Sequence, residues 1–317
     1  MRDNRSNQPV PTPPWAYPAP MAKHAHARTS HARPSIVPAL LIEEPRVLAG
    51  IGTRTDAETP RNSLGSVLGL IRPLWAFLAY DVVMMALKLA HVTPPGHVLE
   101  IACAAATLWL FWGTLRARSR GAEFAHEDLA DFRKTLAANS LSWIGVQTMF
   151  VYMIAFVQQR FPGLDGDGAG RMLSTSFLAL NAVAAMLPAF VLLPLSRSYG
   201  VVVVHSVALA TMAAGYAAGH LFAATPAMLY LVMAFMGIGW AAIVSLPFSI
   251  MSQSVDPSRI GLYMGVFNLS IVLPQLVVSL GVGSLVEAMD DKGGIFLIGA
   301  ASLALSALAW RSVALKR

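Results

Sequence analysis

The chain has 317 residues, of which 56% are hydrophobic and only 13% are charged, and its formal net charge is +6. A soluble domain is usually about one quarter charged, so this composition excludes an ordinary water-soluble globular protein. The single cysteine, Cys103, excludes an internal disulfide and a cysteine-based metal site. The basic residues are scattered through a tail and short loops, which argues against nucleic acid as a partner and for a lipid bilayer.

Residues 1–60 differ from the rest of the chain, because they are rich in Pro, Arg, His and Ser and show no sustained apolar period. Such a segment cannot bury enough apolar surface to offset the entropy lost on ordering, so it is predicted to be a disordered tail. It also lacks the apolar core and small-residue cleavage site of a secretory signal. An alternative is non-native sequence ahead of a misplaced start, with Met21 as a later start.

Beyond the tail, apolar stretches recur between short polar breaks that carry turn residues, such as Asp290-Asp291-Lys292-Gly293-Gly294. A helix that crosses the bilayer core needs about 20 mostly apolar residues. We therefore predict an all-α membrane protein, a polytopic helical bundle. Two N-terminal transmembrane helices are expected in residues 61–120 and a six-helix transmembrane bundle in 137–317. The eight predicted spans are 70–92, 98–115, 138–160, 172–195, 201–222, 227–252, 261–287 and 293–312.

The segment 121–136 joins the two predicted groups of helices. Ala125, Leu129, Phe132 and Leu136 fall at i, i+4, i+7 and i+11, which is one face of a helix. This pattern favours an interfacial helix that lies on the cytoplasmic surface as a linker. The alternative is an ordinary loop.

The distribution of basic residues predicts the orientation. With eight spans, both termini and the long 121–136 loop lie on one side, together with Arg197, Arg259 and Arg311. The opposite side receives only Arg160, Arg171 and Lys292. Lys and Arg are enriched in cytoplasmic loops, so both termini are predicted to be cytoplasmic. The expected location is the bacterial inner (plasma) membrane, which the chain crosses several times.

Polar and aromatic side chains recur on the predicted spans at helical spacing. Amides donate and accept hydrogen bonds, and flat rings stack on the apolar faces of sugars, so such a set suits a neutral polyhydroxyl ligand. The alternative is hydrogen bonding between helices that only holds the bundle together. The candidate substrate-binding residues are Trp143, Gln147, Asn181, Trp240, Asn268 and Gln275.

Asp81 is the one carboxylate near the middle of a predicted span. It is the candidate for coupling to a proton or another cation; alternatively, it lies on a helix that does not truly span. The sequence contains no nucleophile elbow, no His-Glu-x-x-His and no Walker loop, so no enzyme, metal site or cofactor is predicted.

Three segments resemble a known family: residues 142–152, residues 240–248 and, most specifically, residues 261–275 with the run from Asn268 to Pro274-Gln275. They are similar to the sucrose and maltose (glycoside) cation-symporter branch of the major facilitator superfamily. The resemblance covers about residues 98–317, the sixth to twelfth helices of such a carrier. It implies a C-terminal six-helix half plus about two preceding helices.

The resemblance implies a secondary carrier for a sugar or glycoside, coupled to protons or cations. Two departures matter. The family's charged loop motif is reduced to Ser196-Arg197-Ser198-Tyr199-Gly200, in which Ser196 replaces the acid. The family's first four or five helices have no counterpart, which implies a truncated chain. The alternative is a non-transporting remnant, or a half-carrier that needs a partner chain.

Overall fold

The computed structural model describes residues 64–94, 96–118 and 129–314. The tail predicted for residues 1–60 lies outside these ranges, as does most of the predicted linker. All regular secondary structure in the described ranges is helical, and six helical stretches there are long and apolar enough to cross a membrane. The prediction of an all-α polytopic membrane bundle is therefore confirmed.

The N-terminal part consists of α1 (Leu64–Leu70), a 3-10 turn (Arg72–Leu74), α2 (Trp75–Leu89) and α3 (Val98–Leu115). Helices α2 and α3 pack on each other through Phe77 and Phe111, whose ring centroids lie 5.8 Å apart. Between them the chain turns through Gly96, which has a φ of +59° that only glycine adopts without strain.

Residues 129–314 contain nine α-helices, which local sequence signals delimit. Asp165 caps α5 by accepting a hydrogen bond from the Gly168 N–H at 2.7 Å. Gly200, with a φ of +87°, separates α6 from α7. The helices are α4 (Leu129–Arg160), α5 (Gly166–Leu187), α6 (Leu193–Tyr199), α7 (Val201–Phe222), α8 (Pro226–Ser245), α9 (Pro247–Ser252), α10 (Ile260–Val277), α11 (Gly283–Ala288) and α12 (Gly294–Trp310).

Several of these helices join into longer apolar stretches. The six stretches that satisfy the length and apolarity of a span are Val98–Leu115, Leu129–Arg160, Gly166–Tyr199, Val201–Phe222, Pro226–Ser252 and Pro257–Ala288. The helices at the predicted spans 70–92 and 293–312 are shorter, with 15 residues in α2 and 17 in α12. That these two cross the bilayer stays a prediction.

The described end of the predicted linker differs from expectation. Residues 129–136 do not form a separate surface helix but continue without a break into α4. Phe132 and Leu136 are fully buried, and the Asp131 carboxylate forms an ion pair with Lys134 at 3.1 Å in a buried setting. These residues therefore pack inside the protein, because the helix that follows carries their apolar face into the bundle. Ala125 lies outside the described residues.

Helix α4 packs on α12, α10, α5 and α3. Its contact with α12 is close because Gly145 lies against Gly299: a Cβ on Gly145 would lie 3.0 Å from the Gly299 carbonyl oxygen. Small residues permit such close approach of backbones in a membrane, where packing and not water drives association.

Proline interrupts α10 at Pro274, and a π-helical turn, Val278–Val282, follows. Proline has no N–H, so the carbonyl of Ser270, four residues earlier, loses its usual helical partner. The hydroxyl of Ser140 on α4 lies 3.2 Å from that carbonyl oxygen and 2.9 Å from the Leu136 carbonyl oxygen of its own helix, so the two acceptors share one hydroxyl proton. A neighbouring helix thus offers a donor to the freed backbone acceptor, which hydrocarbon surroundings cannot do.

Candidate functional site

Three helices bring together an aromatic–amide cluster that contains Trp143, Phe150, Phe177, Asn181 and Trp240. The Trp240 indole N–H donates to the Asn181 side-chain oxygen at 3.1 Å. The Trp240 ring lies edge-on to Trp143 and Phe150, with centroid distances of 5.9 and 5.1 Å. Phe150 in turn contacts Phe177 at 5.1 Å.

This cluster unites three of the six candidate binding residues: Trp143 on α4, Asn181 on α5 and Trp240 on α8. Asn181 is held by a second hydrogen bond, from its amide nitrogen to the Phe177 carbonyl at 2.8 Å. Both indoles are only partly buried. Their rings are therefore fixed in direction while part of their surface stays exposed.

The other three candidates are Gln147, Asn268 and Gln275. Within the described part of the chain, none of their side chains forms a hydrogen bond, and no ring contact or ion pair joins them to the cluster. Asn268 is exposed on α10, and the other two are partly buried. Gln147 lies one turn from Trp143 on α4, so it shares that helix face.

A network of buried hydroxyls joins α4 to α10 and α12. The sequence did not predict that these side chains contact one another. The Ser306 hydroxyl donates to the Ala138 carbonyl and lies 2.7 Å from the Ser142 hydroxyl. The Asn139 amide donates to the Ser270 hydroxyl at 2.9 Å. The signal was present as small polar residues at helical spacing, but spacing alone does not show which helix lies opposite.

Asp81 lies on the inner face of α2 with only 3% of its surface exposed. Neither of its carboxylate oxygens accepts a hydrogen bond from the described residues. The α2 helix packs on α3 and α10, so Asp81 is on a helix that contacts the one carrying Asn268 and Gln275. No contact in the described residues joins Asp81 to either amide.

A second carboxylate, Glu100, accompanies Asp81 in this region. The Tyr80 hydroxyl donates to one oxygen of Glu100 at 3.1 Å, while the other oxygen is buried without a partner among the described residues. Tyr80 and Glu100 line a cavity of about 420 Å³ between α2, α3, α4 and the π turn after α10. Glu100 is the third residue of α3, and a carboxylate so near a helix end is expected at the membrane interface. It was therefore not among the candidates.

His205 is a further buried ionisable group. Its position near the start of α7 did not indicate that it would be buried. It is fully buried, and its ring packs edge-on against Trp310 at 4.6 Å. Among the described residues, no group of three or more His, Cys, Asp or Glu side chains is placed to hold a metal ion.

The sequence comparison matches a short segment of the chain to a known transport protein. No protein-family profile matches the chain. A segment of 78 residues is 38% identical to the sucrose transport protein of rice, with the same values for the japonica and indica subspecies (Oryza sativa). That segment covers 24% of this chain and 14% of the rice protein. The likeness is therefore confined to a short segment of a sucrose transport protein.

Among solved structures, the chain is similar to an auto-inhibited POT family peptide transporter. The sequence identity is 16% and the TM-score is 0.45. The likeness covers 78% of this chain and 56% of that chain.

Proposed function

We propose that this chain is a secondary carrier of the major facilitator type that moves a sugar or glycoside across a membrane, coupled to protons or another cation. The observation that carries the proposal is the 38% identity to a sucrose transport protein over 78 residues. The all-helical bundle of apolar spans is the architecture that such a carrier needs.

The aromatic–amide cluster supports a sugar as the substrate. Edge-on contacts hold Trp143 and Trp240 at a fixed angle, and the hydrogen bond from Trp240 to Asn181 orients the second indole. A sugar offers apolar ring faces that stack on indole and hydroxyls that pair with amides. Gln147, Asn268 and Gln275 would supply those amides, since their hydrogen-bonding groups are not used within the described residues.

Coupling is assigned to the buried carboxylates of α2 and α3. Amides, hydroxyls and indoles cannot take up a proton near neutral pH, whereas a carboxylate removed from water can. Asp81 is buried with both oxygens unpaired among the described residues, and Glu100 has one such oxygen. A buried ionisable residue in a membrane protein is by default a functional residue.

Replacement of the open amides tests the substrate site. In Asn268→Leu and Gln275→Leu, sugar binding is expected to weaken by about tenfold each, because one hydrogen bond to a buried ligand is worth about 1.4 kcal/mol. The measurement is equilibrium binding of radiolabelled sucrose and maltose to the purified full-length chain in detergent. Both variants should insert and purify as the original does.

Gln253→Leu is the matched control, since it removes an amide of the same size just beyond the end of the α8–α9 span. It should leave sugar affinity unchanged. Unchanged affinity in both test variants, or an equal loss in the control, would count against the amide site.

A half-carrier that needs a partner chain is the second candidate function. It is favoured by the face of α10 that carries Gly261, Gly265 and Asn268, all of which are exposed. A Cβ added at either glycine would meet no described atom within 4 Å. Two glycines four residues apart with an open amide form the kind of surface that a second membrane helix packs against.

A further inference from the structure

A basic, hydroxyl-lined pocket lies at the end of the bundle where α6 gives way to α7. It has a volume of about 870 Å³ and is formed by α6, α7, the α8–α9 region and the segment that follows α12. Arg197 and Arg311 line it, and no described residue of its lining is acidic. The volume lies within the range of small-molecule sites.

Neither arginine is neutralised within the described part of the chain: neither forms an ion pair or a side-chain hydrogen bond there. Ser196 adds a buried hydroxyl that has no hydrogen-bond partner among the described residues. Ser206, 4% exposed, also lines the pocket. Guanidinium groups bind phosphate oxygens through paired N–H donors, and hydroxyls add further donors, so the pocket is suited to a phosphate group.

The rim of the same pocket is apolar. Leu193 and Val203 both line it, and each is 49% exposed. They belong to the apolar stretches Gly166–Tyr199 and Val201–Phe222, which are long enough to cross a bilayer. An exposed apolar rim beside two unpaired arginines matches a molecule with an anionic head and an apolar chain.

We propose that this pocket binds a phosphate group supplied by the headgroup of an anionic phospholipid. Arg197 and Arg311 hold the phosphate, Ser196 donates to one of its oxygens, and Leu193 and Val203 contact the acyl chains. Basic pockets between membrane helices are known to take anionic headgroups in this way. The proposal is independent of what the protein carries.

The test uses the full-length chain purified in detergent, whose thermal unfolding is followed during titration. The probes are dioctanoyl phosphatidylglycerol, dioctanoyl phosphatidylcholine and inorganic phosphate. Phosphatidylglycerol is expected to raise the unfolding midpoint more than phosphatidylcholine does. Arg197→Gln and Arg311→Gln should each raise the half-effective lipid concentration about fivefold, the equivalent of about 1 kcal/mol per basic residue.

Arg171→Gln is the matched control, because it removes the same charge at the opposite end of the Gly166–Tyr199 stretch, where Arg171 is exposed. It should leave the lipid titration unchanged. If inorganic phosphate stabilises the chain as well as the lipid does, and only while Arg197 and Arg311 are present, the site holds a phosphate group whose source is the free ion.

Equal stabilisation by phosphatidylcholine, or an equal loss in the Arg171 control, would overturn the proposal, and equal stabilisation by inorganic phosphate would overturn its lipid source. If the glutamine variants do not fold, Arg197→Lys and Arg311→Lys replace them. Lysine keeps the charge but loses the paired donors of arginine. A weaker effect of phosphatidylglycerol is then expected, and an unchanged titration would contradict the assignment.

Discussion

At the scale of single residues, the polar side chains of the spans fall into two classes. Closed side chains form hydrogen bonds to a neighbouring helix, and open ones form none among the described residues. Asn139, Ser142 and Ser306 are buried and pair across helices, whereas Gln147 and Asn268 form no hydrogen bond among the described residues. Both kinds recur at helical spacing, and spacing shows which side chains share a face but not what that face meets. The candidate site could therefore be predicted only in part, and the cross-helix contact of Trp240 with Asn181 needed the structure.

Ser306→Ala tests the closed class. It removes the hydrogen bonds to the Ala138 carbonyl and the Ser142 hydroxyl, so it should lower the free energy of unfolding by about 1 kcal/mol, the scale of hydrogen bonds between membrane helices. The measurement is denaturant unfolding in detergent micelles. Thr211→Val is the control, since Thr211 is only partly buried and its hydroxyl donates to Val207 on its own helix. An equal change in both variants would contradict a special role for the network.

At the scale of helices, apolar length predicts most of the spans because bilayer thickness fixes how long they must be. Turn residues predict several of the ends, such as Gly200 between α6 and α7. The π turns Pro188–Leu192 and Val278–Val282 were not predicted, because they arise from local accommodation near prolines and have no periodic signal of their own. The sequence also did not predict that residues 129–136 continue into α4. An amphipathic face looks the same in the sequence whether it packs on protein, as here, or on the membrane surface.

Glycine-to-alanine pairs test which helix faces are packed. Gly145→Ala places a methyl group 3.0 Å from the Gly299 carbonyl oxygen. Because this oxygen belongs to the backbone, it cannot easily move away, so the free energy of unfolding is expected to fall by about 1–3 kcal/mol. Gly265→Ala meets open space and should be neutral or stabilising by up to about 1 kcal/mol through helix propensity. Thermal unfolding of the two variants side by side is the measurement. Equal destabilisation would show that the α10 face is packed in the isolated chain.

At the scale of the whole molecule, the distribution of charge predicts an orientation. Reporter fusions at the C-terminus and in the loop 161–165 should lie on opposite sides of the membrane, with the C-terminus cytoplasmic, because Arg197, Arg259 and Arg311 share its predicted side. Alkaline phosphatase and green fluorescent protein fusions measure this directly. If the fusions at the C-terminus and in the loop both report the same side of the membrane, the predicted number of spans is wrong.

Transport by the chain alone tests whether it works without a partner. Purified into vesicles, it is expected not to accumulate sugar against a gradient when a proton gradient is imposed, because the proposed amide of Asn268 lies on an exposed side of α10. Uptake of radiolabelled sucrose is the measurement, with Asp81→Asn as the paired variant. Proton-driven accumulation that Asp81→Asn abolishes would show that the described helices suffice and would remove the half-carrier alternative.

The hydroxyl network around α4 has a mechanical consequence. The Ser140 hydroxyl links α4 to α10 at its kink, and Ser142 with Ser306 links α4 to α12. Sliding either helix along α4 would break these hydrogen bonds. The hydrocarbon core offers no water to replace them. These hydrogen bonds therefore oppose relative movement of α4, α10 and α12. Relative motion is left to contacts of a different kind, such as the ring-on-ring contacts where α4 meets α5 and α8, since aromatic edges can slide without leaving a polar group unpaired. The aromatic–amide cluster would then lie between the parts of the molecule that move against each other.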